Sequence, residues 1–177
     1  LKSNTLSLSD DIAMQAHTLV WFRRNLRIRD NAALFAAVKR GLPVAGVWVA
    51  QGSSEIPNPR QDWFHYQAAA ALHRSLAARG VALYAANRVE ELPALAAQLN
   101  VQTVIADEAY TSSEIEQDNR IWRILDEQSV AFERVNDRAV FAKADIMGSH
   151  GAPYTDFPHY KEAWLALFRQ RFGGQDA

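Results

Sequence analysis

The 177-residue chain contains no cysteine, which removes disulfides, thiolate metal sites and a cysteine nucleophile at one stroke and suits a cytoplasmic setting. No apolar run approaches the roughly eighteen residues that a membrane span needs. A surplus of basic charge is missing too, with 19 Lys and Arg against 20 Asp and Glu. A domain that grips nucleic acid by its phosphates carries a basic footprint, so DNA binding by this segment alone is disfavoured. No Gly-x-Gly-x-x-Gly follows the first apolar run, and no P-loop lysine motif or nucleophile elbow occurs. His17, His65, His73, His150 and His159 show no ligand spacing, so no metal site is expected. No carboxylate pair is placed for acid–base work, and no catalytic residue is assigned.

What remains is the balance of a folded globular chain, 49% hydrophobic and 22% charged. The leader over residues 1–16 is polar, lacks an apolar core and is expected to be a flexible arm rather than a signal peptide. From His17 onward two kinds of segment alternate. "TLVWF", "PVAGVWVA", "VALYAA", "VQTVIADE" and "VAFERV" are apolar and rich in β-branched residues, as strands covered on both faces should be. Four helical patterns separate them. Asp30 or Asn31 caps the first, and Gly41 stops it. In the second, Phe64, Ala68, Ala71, Leu72 and Leu76 form a stripe. Pro93 sits in the first turn of the third. The fourth begins at Ser112 or Ser113 and turns Ile115, Trp122 and Leu125 one way. A loop-like stretch from Asn136 then leads to a last amphipathic helix, "HYKEAWLALFRQRF". This rhythm predicts an α/β fold: a doubly wound, five-stranded parallel, Rossmann-like sheet with helices on both faces.

In such a sheet ligands bind outside the carboxyl ends of the strands, where the strand order reverses. "FRRNLR" falls at that lip if the first strand is central. Arg23, Arg24, Arg27 and Arg29 then have two readings. One makes them salt bridges, with Arg27 and Arg29 pairing Asp30 or other carboxylates; the other turns one or two of them toward a cofactor or partner domain. Glu114 and Asp118 lie four apart on one helix face, where carboxylates stabilise a helix start or accept from donor-rich heterocycle edges. Trp63, Phe64, Trp122 and Trp164 read as core and interface aromatics.

The stretch "LVWFRRNLRIRDNAAL" resembles the opening of the DNA photolyase/cryptochrome family, through Trp21, Phe22, Arg23, Leu26, Arg27, Asp30, Asn31 and Leu34. "NPRQDWFHYQAAAALHRSLAARGVALY", "YTSSEIEQDNRIWRIL" and "GAPYTDFPHYKEAW" agree in order and spacing. The resemblance implies an antenna-chromophore domain over residues 17–168, with 169–177 beginning an interdomain linker. Its parent would be a deoxyribodipyrimidine photolyase, a lyase that splits pyrimidine dimers in DNA by light-driven electron transfer from reduced FAD. The flavin and the DNA-binding face would belong to a C-terminal helical domain, the expected partner, and the segment alone would be inactive. Family members of the folate type place an Asn-Glu pair after the fourth strand, and Ser113-Glu114 stand there. The implied cofactor residues are Glu114, Ser113, Phe22, Arg23 and Arg24. The implied antenna is methenyltetrahydrofolate, with a deazaflavin as the alternative. Asn25 departs from the family's aspartate, removing a charge that would pair with a neighbouring arginine, and "FPHY" departs at Phe157 to Tyr160. A cryptochrome-like photosensor or a stand-alone partner-binding module is the second reading, and a nucleotide-binding stress-protein relative the third.

Overall fold

A computed structural model describes residues 16–50, 58–148 and 150–173. The expected flexible arm lies outside the described residues except for Ala16, which is buried in the core. The chain divides into two compact units, the break falling between Asp137 and Arg138.

The first unit is the sheet. Its strands are β1 (Thr18–Phe22), β2 (Val44–Val49), β3 (Leu83–Ala86), β4 (Thr103–Asp107) and β5 (Ala131–Val135). They are parallel, in the order β3-β2-β1-β4-β5. Helices α1 (Ala32–Val38), α2 (Pro59–Ala77), α3 (Leu92–Gln98) and α4 (Ser112–Glu127) connect them. The chain winds outward from β1 to β3 and then returns to β4 on the other side. The order therefore reverses between β1 and β4, as a doubly wound sheet requires.

Side chains of β1 alternate between two cores. Leu19 and Trp21 join Leu92, Ala96, Ile121 and Leu125 under α3 and α4, while Val20 and Phe22 join Ala33, Ala37, Leu72 and Leu76 under α1 and α2. Burial on both faces explains why the strand is apolar throughout. Gly46 of β2 makes room for Phe22: an added Cβ would stand 2.8 Å from the Phe22 ring and 2.9 Å from the Leu83 side chain.

Three helical readings change. The α2 stripe is Ala69, Leu72 and Leu76, whereas Phe64 is 63% exposed and Ala71 is exposed. Steps of three and four stay on one face; steps of four alone drift by about 40° each, which carries Phe64 off it. In α4 the inward face is Asp118, Ile121 and Leu125, leaving Trp122 and Ile115 partly exposed to solvent. The α4 N-cap is Thr111 rather than either serine. A 3₁₀ turn over Val89–Glu91 precedes α3, with Pro93 in its first turn. Asn31 caps α1 by accepting from Leu34 N–H at 2.8 Å.

The second unit carries α5 (Phe157–Phe172). Its cap is Asp156, which accepts from His159 N–H at 3.0 Å; Pro158 fits the first turn, where its missing N–H goes unneeded. The helix thus starts two residues before the sequence pattern and runs past Phe168, into the span read as linker. Trp164 stacks on Phe168 at 5.1 Å and meets the Phe141 ring edge-on at 5.3 Å.

Candidate functional site

The lip of β1 meets the start of α4 through two consecutive arginines. Arg23 continues the β1 alternation onto the α3/α4 face, so its side chain, 9% exposed, descends beside Trp21. The guanidinium lies 3.9 Å over the Trp21 ring, and its Nη2 donates to Asp118 Oδ1. Asp118 is itself buried; its second oxygen accepts from Arg134 Nε at 3.2 Å, and Arg134 sits over the Phe132 ring. Asp107, at the end of β4, brings Oδ1 to 4.0 Å from Arg23 Nε. Arg23, Asp107 and Asp118 thus form a buried ionic cluster, with the partly exposed Arg134 at its edge.

Arg24 turns the other way. Its side chain is 66% exposed and its Nη2 contacts Glu114 Oε1 at 2.9 Å. Glu114 is held from behind. Its Oε2 accepts from the N–H groups of Tyr110 and Thr111, each at 3.2 Å, and Thr111 Oγ1 accepts in return from Glu114 N–H. This reciprocal capping satisfies donors that a helix start leaves open. Burial opposes ionisation of Glu114, but the Thr111 and Tyr110 N–H groups and the Arg24 charge together outweigh it and lower its pKa from 4.5 to about 2. Glu114 is therefore an anion at any physiological pH.

Arg24, Ser113, Glu114 and Gln117 line one wall of a crevice of about 390 Å³; Ala50, Asn87, Arg88, Val89 and Glu90 line the other. Ala50 follows β2, and Asn87 and Arg88 follow β3, so the crevice opens at the carboxyl end of the sheet. Among the five residues implied by the resemblance, Glu114, Ser113 and Arg24 come together here. Arg23 lies in the ion cluster below. Phe22 is 1% exposed, packed in the core under α1 and α2, and does not line the crevice.

Arg27 reaches the backbone carbonyl of Asp30 at 3.0 Å, not its carboxylate; its acidic partner is Asp137, also at 3.0 Å. Asp137 further accepts from Asn25 Nδ2 at 3.0 Å and from Ala32 N–H at 2.7 Å. Asp137 thus supplies the charge that Asn25 withholds. Sequence reasoning missed Asp137, Arg134 and Asp107 as partners of the arginines, and Asn87, Arg88 and Gln117 as crevice walls. Strand-end position was the one signal that could have found Asn87 and Arg88. Among the described residues there is no His, Asp and Glu grouping fit for a metal, and no helix is long and apolar enough to cross a membrane.

Residues 18–175 match the DNA photolyase family. A Vibrio cholerae deoxyribodipyrimidine photo-lyase is 33% identical over 161 residues, covering 85% of this chain and 34% of that protein. Cryptochrome-2 of Arabidopsis thaliana is 29% identical over 160 residues, covering 87% of this chain and 26% of that protein. Among solved structures, the Agrobacterium tumefaciens class III photolyase superposes with a TM-score of 0.67 at 24% identity, covering 96% of this chain and 34% of that one. The chain spans about a third of the length of the photolyases it matches. Family match, strand order and the arginine lip agree: this chain belongs to the DNA photolyase family, as its N-terminal α/β domain.

Proposed function

We propose that this domain is the light-collecting part of a photolyase-type flavoprotein and holds a folate-type antenna in the crevice between Arg24, Arg88 and Glu114. The observation that carries the reading is the donor set of that crevice. A volume of about 390 Å³ falls within the range of small-molecule sites. Glu114 offers an anionic acceptor that stays ionised, suited to the N–H edge of a pterin. Arg24 and Arg88 offer cations for the carboxylates of a glutamate tail, and the Asn87 and Gln117 amides add donors and acceptors. These residues fit methenyltetrahydrofolate through the Oε1 side of Glu114 alone, because Oε2 is committed to the Tyr110 and Thr111 N–H groups.

When bound, the chromophore supplies absorption in the near ultraviolet and passes excitation to a reduced flavin. The chain's own residues bind and orient it. By this reading the flavin, the DNA contact and dimer splitting belong to a further domain of the parent protein. Titrating the purified chain with methenyltetrahydrofolate, read by near-ultraviolet absorbance and fluorescence, gives a saturable change. Glu114→Ala weakens binding by roughly tenfold, the worth of a hydrogen bond to a charged group. Absence of any saturable change rejects the reading.

The similarity to Arabidopsis cryptochrome-2 supports a second reading for the parent, a photosensor. Illuminating the full-length protein with dimer-bearing DNA separates the two, since a photolyase restores the intact bases and a sensor does not.

A further inference from the structure

The rim of the sheet on the β3 side carries a feature that the crevice does not use. Among the described residues β3 is the terminal strand there, paired only with β2. Gly46 N–H donates to the Ala82 carbonyl and Ala50 N–H to that of Ala86, each at 2.8 Å. Along a strand, residues that face a neighbour alternate with residues that face away. Tyr84 therefore turns its N–H and C=O toward β2, while Leu83 and Ala85 turn theirs outward, two donors and two acceptors on an open edge. Sheet edges are commonly blunted by a charge, a proline or a bulge; "LYAA" carries none of these, and its register with β2 is unbroken.

Beside that edge lies a recess of about 150 Å³, lined by Trp48, Tyr66, Ala69, Ala70 and His73 together with Leu83 to Ala85 of β3. It shares no lining residue with the crevice. Small side chains make it: Ala69 and Ala70 on α2 and Ala85 on β3 leave space beside Trp48 and Tyr66, which meet edge-on at 6.2 Å. Leu83 packs with the core under α1 and α2, so Ala85, two residues on, faces α2 as well. A strand laid along β3 sets every second side chain on that same face, over the recess. A dry apolar cavity of about 150 Å³ takes a benzene-sized ring. No carboxylate, lysine or arginine lines the recess, so a charged side chain placed there is desolvated without a partner. We propose that edge and recess together form a docking site for an extended segment of a partner protein. The segment joins the sheet beside β3 and is anchored by one uncharged side chain of phenylalanine or leucine size. Main-chain bonds align it, and the recess selects the anchor.

The probe is a capped, fluorescein-labelled heptapeptide with phenylalanine at its centre, valine two places to either side, threonine between and lysine at both ends. Fluorescence anisotropy with the purified chain gives saturable binding. Replacing the central phenylalanine by alanine weakens it at least tenfold, the worth of a buried aromatic ring, with the protein unaltered. Ala70→Trp fills the recess and weakens binding to a similar extent. Ala85→Pro removes an outward N–H without taking a bond from the ladder, and weakens binding roughly two- to tenfold. In the saturated complex, amide exchange slows at Leu83 and Ala85, while Tyr84 and Ala86, already bonded to β2, change little. No saturable binding at millimolar peptide overturns the proposal. Binding that leaves Leu83 and Ala85 exchange unchanged also overturns it, because the peptide is then held without joining the sheet. If sedimentation finds wild type dimeric and Ala85→Pro monomeric, the edge belongs to a second copy of this chain and the partner segment is rejected. Melting temperatures near that of wild type show that both variants are folded. None of these readouts involves the crevice, so the antenna reading stands or falls separately.

Discussion

Arg23 and Arg24 are adjacent in the chain, carry the same group and meet carboxylates one turn apart on α4, yet they do different jobs. Successive residues at a strand end point to opposite sides, so one guanidinium goes under the surface and the other stays on it. Arg23 and Asp118 are 9% and 1% exposed, and the guanidinium is sandwiched between Trp21 and the acid. Arg24 is 66% exposed and can leave Glu114 at little loss of stability. Equal chemistry in unequal dielectric gives a structural tie and an exchangeable one. The lesson is that "FRRNLR" answers both readings of its arginines. The salt-bridge reading holds for Arg23 and Arg27, and the crevice has Arg24 on its wall.

The sharpest way to break this comparison is to remove one acid from each pair. Asp118→Ala takes from buried Arg23 its nearest acid, leaving the more distant Asp107, and frees Arg134; it is expected to cost roughly 3–5 kcal/mol. Glu114→Gln removes the charge opposite a solvent-exposed arginine and keeps an amide oxygen for the α4 N–H groups, so it is expected to cost less, about 1–2 kcal/mol at neutral pH. Urea unfolding midpoints of the two variants measure the difference. Similar losses in both would show that burial does not separate the pairs.

A second, smaller effect tests how the lip is anchored on its other side. Asn25, 6% exposed, donates to Asp137. Asn25→Asp installs the residue found in the family pattern, but here it places two carboxylates at hydrogen-bond distance in a buried site. The expected loss is about 2 kcal/mol at pH 7. Equal stability of variant and wild type at neutral pH would show that Arg27 alone can hold both charges.

These partners explain what the sequence could and could not disclose. The five strands were legible because burial on both faces demands continuous apolar runs, and Asn31 because a cap acts within three residues. The parallel sheet followed from the alternation of strands with helices. The inner face of α4 was not legible. Its one polar member, Asp118, is neutralised by arginines on other elements, Arg23 lying 95 positions before it. Ile115 and Trp122 therefore looked like the core side, although it is Asp118, Ile121 and Leu125 that turn inward. Thr111 was hidden for a different reason: Thr111, Ser112 and Ser113 are all competent caps, and only the reach of Glu114 back to the Thr111 N–H selects among them. Phe22 was assigned to the crevice by position in a motif, but strand alternation sends it to the opposite core from Arg23.

The smallest expected effect concerns the Arg24–Glu114 pair alone. Glu114 has a folded pKa of about 2 against an ordinary value of 4.5. A carboxylate whose pKa is depressed on folding stabilises the fold fully above its unfolded value, and that contribution disappears as pH falls through the folded value. The window is therefore pH 4.5 down to about 2. Glu114→Gln cannot titrate, yet its amide oxygen still accepts one N–H from the α4 start. Above pH 5 wild type should melt slightly higher than the variant, and the gap should close across that window. Asp118→Asn provides the contrast in size, since it removes a buried charge from Arg23 and Arg134 and should lower the melting temperature several times as far at neutral pH. A Glu114→Gln gap that stays constant down to pH 2 would mean that side-chain shape, not charge, ties Glu114 to Arg24 and the Thr111 turn.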